Sequence, residues 1–129
     1  GITCNVYADV TQIELSNNNI TGDLMQIVGV LQVIEPLQVL DLSFNTLSGN
    51  ITTVANDNFV AQFPDLARID LRSNEQLLVG TVPSLFCADY TMLELRLNCD
   101  IECECCDHKK HCDCMDFPGW VDTSGNDCE

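Results

Sequence analysis

The segment CDIECECCDHKKHCDC, residues 99–114, places six cysteines and two histidines within sixteen positions. Thiolate and imidazole groups at this density can hold Zn²⁺ in tetrahedral sites. Alternatively, the cysteines pair as disulfides, which stabilise loop-rich segments too small to form a hydrophobic core. The paired C-x2-C knuckles of structural zinc modules are missing, so the choice depends on the compartment in which the chain functions. The candidate zinc ligands are Cys103, Cys105, Cys106, His108, His111, Cys112 and Cys114.

Composition limits the rest of the molecule. The chain has 129 residues, which favours one domain, and 46% of them are apolar, enough for a hydrophobic core. The formal net charge of −15 argues against nucleic acid or an anionic membrane surface as partner, because both would repel the chain. The longest apolar run, residues 27–34, is too short to span a membrane. No leader segment precedes Gly1, which we expect to be a processed or truncated end.

An internal repeat organises most of the chain. Four segments fit the pattern apolar-x-x-apolar-x-apolar-x-x-Asn, at residues 10–18, 37–45, 66–74 and 90–98. Their asparagines, Asn18, Asn45, Asn74 and Asn98, are 27, 29 and 24 residues apart. The alternating apolar positions predict a short strand with one buried face in each repeat. Stacked repeats cover each other's apolar faces, which a single repeat cannot do alone.

The residues after each strand predict a turn and a return segment. We expect the four asparagines to form a ladder that satisfies backbone groups of the turns. Gly22, Gly49 and Gly80 follow at matching positions and permit a tight bend. Residues 24–36 and 54–65 have apolar residues at roughly helical spacing, and Asn56 or Asp57 is placed to cap a short helix.

The segment LQVLDLSFNTLSGNI, residues 37–51, resembles the plant-type extracellular leucine-rich repeat family, and the resemblance extends over roughly residues 10–98. It implies a curved α/β-type solenoid with about four short parallel strands on the concave face and irregular or short-helical returns on the convex face. Two repeats are longer than is usual in the family, and proline stands in its expected place only at Pro83.

Both ends of the chain resemble caps of such repeat arrays. Residues 1–9 look like the end of a truncated N-terminal cap, whose Cys4 would pair with a missing upstream cysteine or remain free. Residues 99–129, preceded by PSLFC at 83–87, are similar to the cysteine-rich C-terminal caps of secreted diatom-type algal leucine-rich repeat proteins. An extracellular compartment favours disulfides over zinc. The expected disulfide cysteines are Cys87, Cys99, Cys103, Cys105, Cys106, Cys112, Cys114 and Cys128.

Two further signs point to a secreted protein without enzymatic activity. Asn19 and Asn50 each begin an Asn-Ile-Thr acceptor sequence for N-linked glycans, although both can also be unmodified turn residues. No nucleophile elbow, phosphate loop, Ser-His-Asp set or paired metal motif is present. We therefore expect no catalytic residues and no cofactor other than possible N-linked glycans.

The concave face is the predicted binding surface. The repeat alignment places Glu14, Asp41, Asp70 and Glu94 in one column of neighbouring strands. An acid at this position is frequent in the family, so the column has a structural explanation as well as a functional one. All three arginines of the chain also lie on this face, where they can compensate Asp70 and Glu94. The predicted binding residues are Gln12, Glu14, Ser16, Asp41, Ser43, Arg68, Asp70, Arg72, Glu94 and Arg96.

These patterns predict an extracellular recognition or adhesion module that binds a protein or a glycan through the concave face. The first alternative is a structural subunit of an extracellular matrix or filament, which would self-associate end to end because the truncated N-terminal cap leaves a strand edge open. The second alternative is a metal-binding protein that uses the 99–114 cluster.

Overall fold

The computed structural model describes residues 1–74, 78–89, 94–98 and 101–104. The strands of these residues are β1 (Ile2–Cys4), β2 (Val10–Glu14), β3 (Thr21–Asp23), β4 (Val39–Asp41), β5 (Thr46–Asn50), β6 (Arg68–Asp70), β7 (Leu78–Val79), β8 (Thr81–Val82), β9 (Glu94–Arg96) and β10 (Glu102–Cys103). The helices are α1 (Leu24–Leu31), α2 (Ile51–Val54), α3 (Asp57–Gln62) and α4 (Ser84–Asp89). All four helices are too short to cross a bilayer.

The main sheet has the strand order β1-β2-β4-β6-β9. Strands β2, β4, β6 and β9 are parallel, and each comes from one of the four sequence repeats. A second parallel sheet, β3-β5-β7, follows the turns after these strands, and β10 pairs with β8. The predicted set of about four short parallel strands is therefore present, and the order of strand, turn, outer strand and helix is that of an α/β repeat fold.

The N-terminal edge of the main sheet differs from the prediction. Strand β1 pairs antiparallel with β2, with Ile2 opposite Ile13 and Thr3 opposite Gln12. The amino group of Gly1 also donates to the carbonyl oxygen of Glu14. The open edge expected at this end therefore lies on β1 and not on the first repeat, because the residues before that repeat fold back and satisfy the backbone groups of β2.

The hydrophobic core lies between the main sheet and the helices. Leu40, Ile69 and Leu95 enter it from three neighbouring strands, and Val28 and Phe59 enter it from α1 and α3. These sheet and helix residues together line a small apolar cavity of about 20 Å³. Each large apolar side chain removed from water contributes about 1.5–3 kcal/mol. Stacking of the repeats therefore buries the apolar faces that the sequence pattern assigned to the strands.

A ladder of buried asparagines connects the turns. The Oδ1 atom of Asn45 accepts hydrogen bonds from the amides of Asn18 and Ile20, at 2.9 and 3.0 Å. Its Nδ2 atom donates to the carbonyl oxygens of Leu15 and Leu42 at 2.9 and 3.0 Å, and to that of Ser43 at 3.0 Å. Asn45 thus bonds to its own turn and to the turn of the preceding repeat.

The same arrangement continues at the next two turns. Asn74 accepts from the amide of Leu47 at 3.0 Å and donates to the carbonyl oxygen of Leu71 at 2.8 Å. Asn98 accepts from the amide of Ser73 at 2.7 Å. Asn18 departs from the prediction, because its side chain is exposed and, among the described residues, donates to Ser16 alone, at 3.0 Å. The residues that pair with β2 on this side form β1, which is antiparallel and provides no turn beside Asn18.

The bends after the turns pack against the helix caps of the preceding repeat. Asp23 caps α1 and Asn50 caps α2, each by accepting a hydrogen bond from a backbone amide two residues ahead. The prediction that Asn56 caps a helix is confirmed for α3, whose Phe59 amide lies 3.1 Å from Asn56 Oδ1. Gly80 lies beside Asn50 with a φ angle of +106°, and a Cβ atom there would be 2.1 Å from Asn50 Oδ1.

Replacing Gly80 with alanine is expected to lower the free energy of unfolding by about 1–3 kcal/mol, because both the backbone conformation and the contact with Asn50 oppose a side chain. Gly29, in α1, provides the matched control, since a Cβ atom there meets nothing within 4 Å. Gly29→Ala is expected to stabilise the protein by about 0.5–1 kcal/mol. Urea denaturation of both variants checks the pair, and an equal effect of the two substitutions would contradict the packing described here.

Candidate interaction surface

The outward side of β2, β4, β6 and β9, together with the first residues after these strands, forms one polar surface, which we call the polar face. Along each strand, the residues of the polar face alternate with buried apolar residues such as Ile13, Leu40 and Ile69. The predicted binding residues on this face are Gln12, Glu14, Ser16, Asp41, Ser43, Arg68, Asp70, Arg72, Glu94 and Arg96. The fold therefore brings them together, while their role in binding stays a prediction.

The predicted column of acidic residues crosses the first three strands as the repeat alignment predicts. Glu14 pairs with Asp41, and Asp41 pairs with Asp70. Strand β9 departs from that alignment, because its register is offset by two residues. Asp70 lies beside Arg96, and Glu94 lies beside Arg68. The predicted stacking of Glu94 on Asp70 is therefore wrong.

The offset has an electrostatic rationale. Neighbouring strands are about 4.8 Å apart, and two carboxylates at that distance repel by about 1–3 kcal/mol, depending on the effective dielectric constant. The observed register places a guanidinium beside Asp70 instead of a carboxylate. The spacing between the last two ladder asparagines is 24 residues, shorter than the 27 and 29 of the others, and it accompanies this change of register.

Asp70 is the centre of the polar face. The residue is 0% exposed, and its carboxylate makes a bidentate pair with Arg72, with Nε–Oδ1 at 2.9 Å and Nη2–Oδ2 at 2.7 Å. Two further guanidiniums approach Oδ2, that of Arg68 at 3.7 Å and that of Arg96 at 3.9 Å. Arg96 also contacts Glu94, with its Nε atom 2.7 Å from Oε1. We call Arg68, Asp70, Arg72, Glu94 and Arg96 the arginine cluster.

The acidic end of the polar face has a different arrangement. Asp41 Oδ1 accepts hydrogen bonds from the Ser43 hydroxyl at 2.6 Å and from the Ser43 amide at 3.0 Å. That hydroxyl also lies 3.0 Å from the hydroxyl of Ser16. The Glu14 side chain is exposed. Within the part of the chain that the structure describes, neither Glu14 nor Asp41 forms an ion pair, so this end of the face keeps its negative charge.

With this geometry in view, comparison with protein families gives one match. The model of the leucine-rich repeat matches residues 36–56, which contain β4, β5 and α2. The chain contains a leucine-rich repeat. Comparison with curated proteins gives no match. Leucine-rich repeats generally mediate protein–protein interactions and are generally not enzymes, which agrees with the polar face and with a recognition function.

The helix side of the leucine-rich repeat carries a second feature, which the sequence patterns did not indicate. A groove of about 210 Å³ runs between α1 and the segment that contains α2 and α3. Val28 and Phe59 contribute its apolar part, and Gln32 and Gln62 lie along it, joined by a hydrogen bond of 3.2 Å. Met25, which also lines the groove, is 58% exposed.

The predicted glycan sites lie at the surface of the repeats. Asn19 is exposed and has a φ angle of 53°, in the turn after β2. Asn50 is exposed at the start of α2, and its Oδ1 atom accepts the helix-capping bond from Thr52. A glycan would be attached through Nδ2, so attachment at Asn50 leaves the capping oxygen in place. The occupancy of both sites stays a prediction.

Most of the cysteine-rich segment falls outside the described residues. Cys87 belongs to α4 and Cys103 to β10, but only their backbones are described. The other predicted disulfide cysteines, Cys99, Cys105, Cys106, Cys112, Cys114 and Cys128, and both histidines are not described. Residues 1–74, with the short segments that follow, contain no group of three His, Cys, Asp or Glu side chains arranged for a metal. The disulfides and the zinc alternative both stay predictions.

Labelling of the thiols distinguishes the disulfides from the zinc site, with Cys4 as the reference. Cys4 is a free, exposed cysteine in β1. If the other eight cysteines form disulfides, a thiol-blocking reagent is expected to add one label to the denatured chain before reduction and nine after it. The intact mass measures both numbers. Several labels before reduction, together with a native mass that includes zinc or copper, would contradict the disulfides and favour the metal site.

Proposed function

We propose that this chain is an extracellular recognition module that binds a protein partner through the polar face of its leucine-rich repeats. The observation that carries the proposal is the arginine cluster. Burying the carboxylate of Asp70 removes it from water at a cost that three guanidiniums offset. An apolar residue would fill this position without that cost, so the polar composition of the face is consistent with selection for recognition.

The extracellular part of the proposal rests on sequence features. Nine cysteines in 129 residues exceed what a chain in a reducing compartment ordinarily carries. The acceptor sequences at Asn19 and Asn50 and the resemblance to extracellular leucine-rich repeats support the same placement. The thiol-labelling experiment tests it, since free thiols throughout residues 87–128 would remove its main support.

The structural-subunit alternative receives less support from the fold. Its main argument was an open edge on the first repeat, and β1 covers that edge. At this end of the main sheet the edge strand is β1, which has only three residues, all of them exposed. Short edge strands are poor templates for pairing with another chain. We therefore favour recognition over end-to-end assembly.

A steric block distinguishes the polar face from the helix side as the binding surface. Gln12 is half-buried in β2, the first strand of the polar face, whereas Gln26 is exposed on α1. The chain and its Gln12→Trp and Gln26→Trp variants are each immobilised and presented with the cell-surface and secreted proteins of the source organism. Proteins that bind through the polar face are retained by the original chain and by Gln26→Trp, and are lost with Gln12→Trp. Equal retention by all three chains would overturn the proposal.

A further inference from the structure

We infer that the partner presents an extended segment of two-signed charge to the polar face, with a basic side chain over Glu14 and Asp41 and an acidic side chain over Arg68 and Arg96. The inference rests on the proposed function and specifies the chemistry of the partner. It follows from three features of the polar face: unused donors at one end, unpaired carboxylates at the other, and the distance between them.

The arginine cluster has donors that no described residue uses. Both carboxylate oxygens of Asp70 accept hydrogen bonds from the Arg72 guanidinium, and Oδ1 also accepts from the Arg72 amide at 3.2 Å. Arg68 lies 3.7 Å from Asp70, beyond hydrogen-bonding distance, and its buried Nε atom has no hydrogen-bond partner among the described residues. Its side chain is 30% exposed, and that of Arg96 is 33% exposed. The exposed part of the Arg68 side chain, rather than its buried Nε atom, is suited to a carboxylate from outside, and Arg96 adds positive charge beside it while it is bonded to Glu94.

Charge balance gives the same result. The arginine cluster contains three guanidiniums and two carboxylates, so its formal charge is positive, although the chain as a whole carries −15. All the arginines of the chain are gathered here. An acidic side chain of a partner is attracted locally, whereas a long polyanion is repelled by the surrounding molecule. The cluster therefore favours a single acidic group within a segment that is not anionic overall.

The acidic end selects the opposite charge. Glu14 and Asp41 lie on adjacent strands, and neither carboxylate forms an ion pair with a described residue. Ser43 holds one oxygen of Asp41 through two hydrogen bonds and leaves the other carboxylate oxygen available. A lysine or arginine of the partner would relieve the repulsion between the two carboxylates while forming ion pairs with them.

The separation of the two ends sets the spacing in the partner. The centre of the acidic end, between β2 and β4, lies two strand intervals from the centre of the exposed guanidiniums, between β6 and β9. Two intervals correspond to about 10 Å. A segment in the extended polyproline II conformation rises about 3.1 Å per residue with three residues per turn, so it covers that distance in about three residues and presents the first and the last side chain on the same side. The expected element is thus a basic and an acidic residue about three positions apart, in a segment that crosses the strands.

Selection of displayed peptides tests the inference with a defined probe. The whole chain is used to select from a library of random twelve-residue peptides, and the Gln12→Trp variant is used to identify peptides that require the polar face. Peptides that require the face are expected to be enriched in a basic and an acidic residue about three positions apart. Their affinity is expected to fall about two- to fivefold with Glu14→Gln and with Arg68→Gln, and to weaken as salt concentration rises.

Matched variants separate the possible results. Glu35→Gln removes a carboxylate from an exposed position away from the polar face and is expected to leave the affinity unchanged. The charge-reversal variant Glu14→Lys is expected to select peptides in which an acidic residue replaces the basic one. Peptides that require the face but show no charge pattern would overturn the inference and leave the proposed function intact.

Two other results are also decisive. Peptides that bind equally to the chain and to Gln12→Trp would contradict the proposed function itself, because they do not use the polar face. Stronger binding of polygalacturonate than of any selected peptide, lost with Arg68→Gln, would replace the two-signed protein segment with an anionic glycan and overturn the inference.

Discussion

Replacing Asn45 with leucine is expected to lower the free energy of unfolding by about 3–5 kcal/mol, because each buried polar group left without a partner costs about 1–3 kcal/mol. Leucine has a similar size but cannot accept from the amides of Asn18 and Ile20, nor donate to the carbonyl oxygens that the Asn45 amide now satisfies. Asn45 is 3% exposed, so water cannot take over these bonds. Urea denaturation monitored by circular dichroism measures the loss.

The repeat itself supplies the control for this prediction. Asn18 occupies the same motif position, but its side chain is exposed and makes one bond, to Ser16. Asn18→Leu is therefore expected to change the unfolding free energy by less than about 1 kcal/mol. Losses of similar size for both variants would show that the motif position acts through something other than the ladder.

The second large effect is expected for Asp70→Asn, which should lower the free energy of unfolding by about 3 kcal/mol. Asparagine preserves the side-chain volume and an oxygen for the Arg72 amide, so the substitution removes mainly the negative charge. The Arg72 side chain, 15% exposed, would then keep a positive charge without its carboxylate. Removing one partner of a buried ion pair costs about 3–5 kcal/mol, and the greater exposure of the other two arginines places this case at the lower end.

Two further variants test the cause of this loss. Asp41→Asn changes the neighbouring carboxylate, whose one partner among the described residues is Ser43, and is expected to cost about 0.5–1 kcal/mol. The double variant Asp70→Leu with Arg72→Met removes both partners of the bidentate pair and is expected to be more stable than Asp70→Asn. If the double variant were less stable than the single one, the loss would come from packing rather than from an uncompensated charge.

The repeat pattern was sufficient to predict the main strands but not every pairing between them. Alternation of apolar residues placed Leu40, Ile69 and Leu95 on the buried face, because a strand repeats every two residues whatever lies beside it. The register of β9 was not predictable in this way. It depends on which charged side chains become neighbours, and on a connection whose length differs from that of the other repeats.

The two ends of the chain lie outside the periodic pattern, and prediction failed or remained untested there. The hairpin of β1 with β2 has no counterpart in the repeats, so nothing in their spacing indicated that Ile2 would pair with Ile13. Asn18 carries the motif but lacks a preceding turn, a property of its place in the array rather than of its sequence. The predicted residues of the polar face lie together as expected. The lack of a hydrogen-bond partner for Arg68 Nε among the described residues, in contrast, is visible only in the three-dimensional structure.

The hydrogen bonds of the asparagine ladder also bear on the order in which the repeats fold during synthesis. Asn45 satisfies the amide of Asn18, 27 residues before it, and Asn98 satisfies the amide of Ser73, 25 residues before it. A growing chain leaves the ribosome from its N-terminus, so each turn keeps unpaired groups until the next repeat has been synthesised. Each of these turns is thus completed by the repeat that follows it, and we expect the folded part of the nascent chain to extend one repeat behind synthesis.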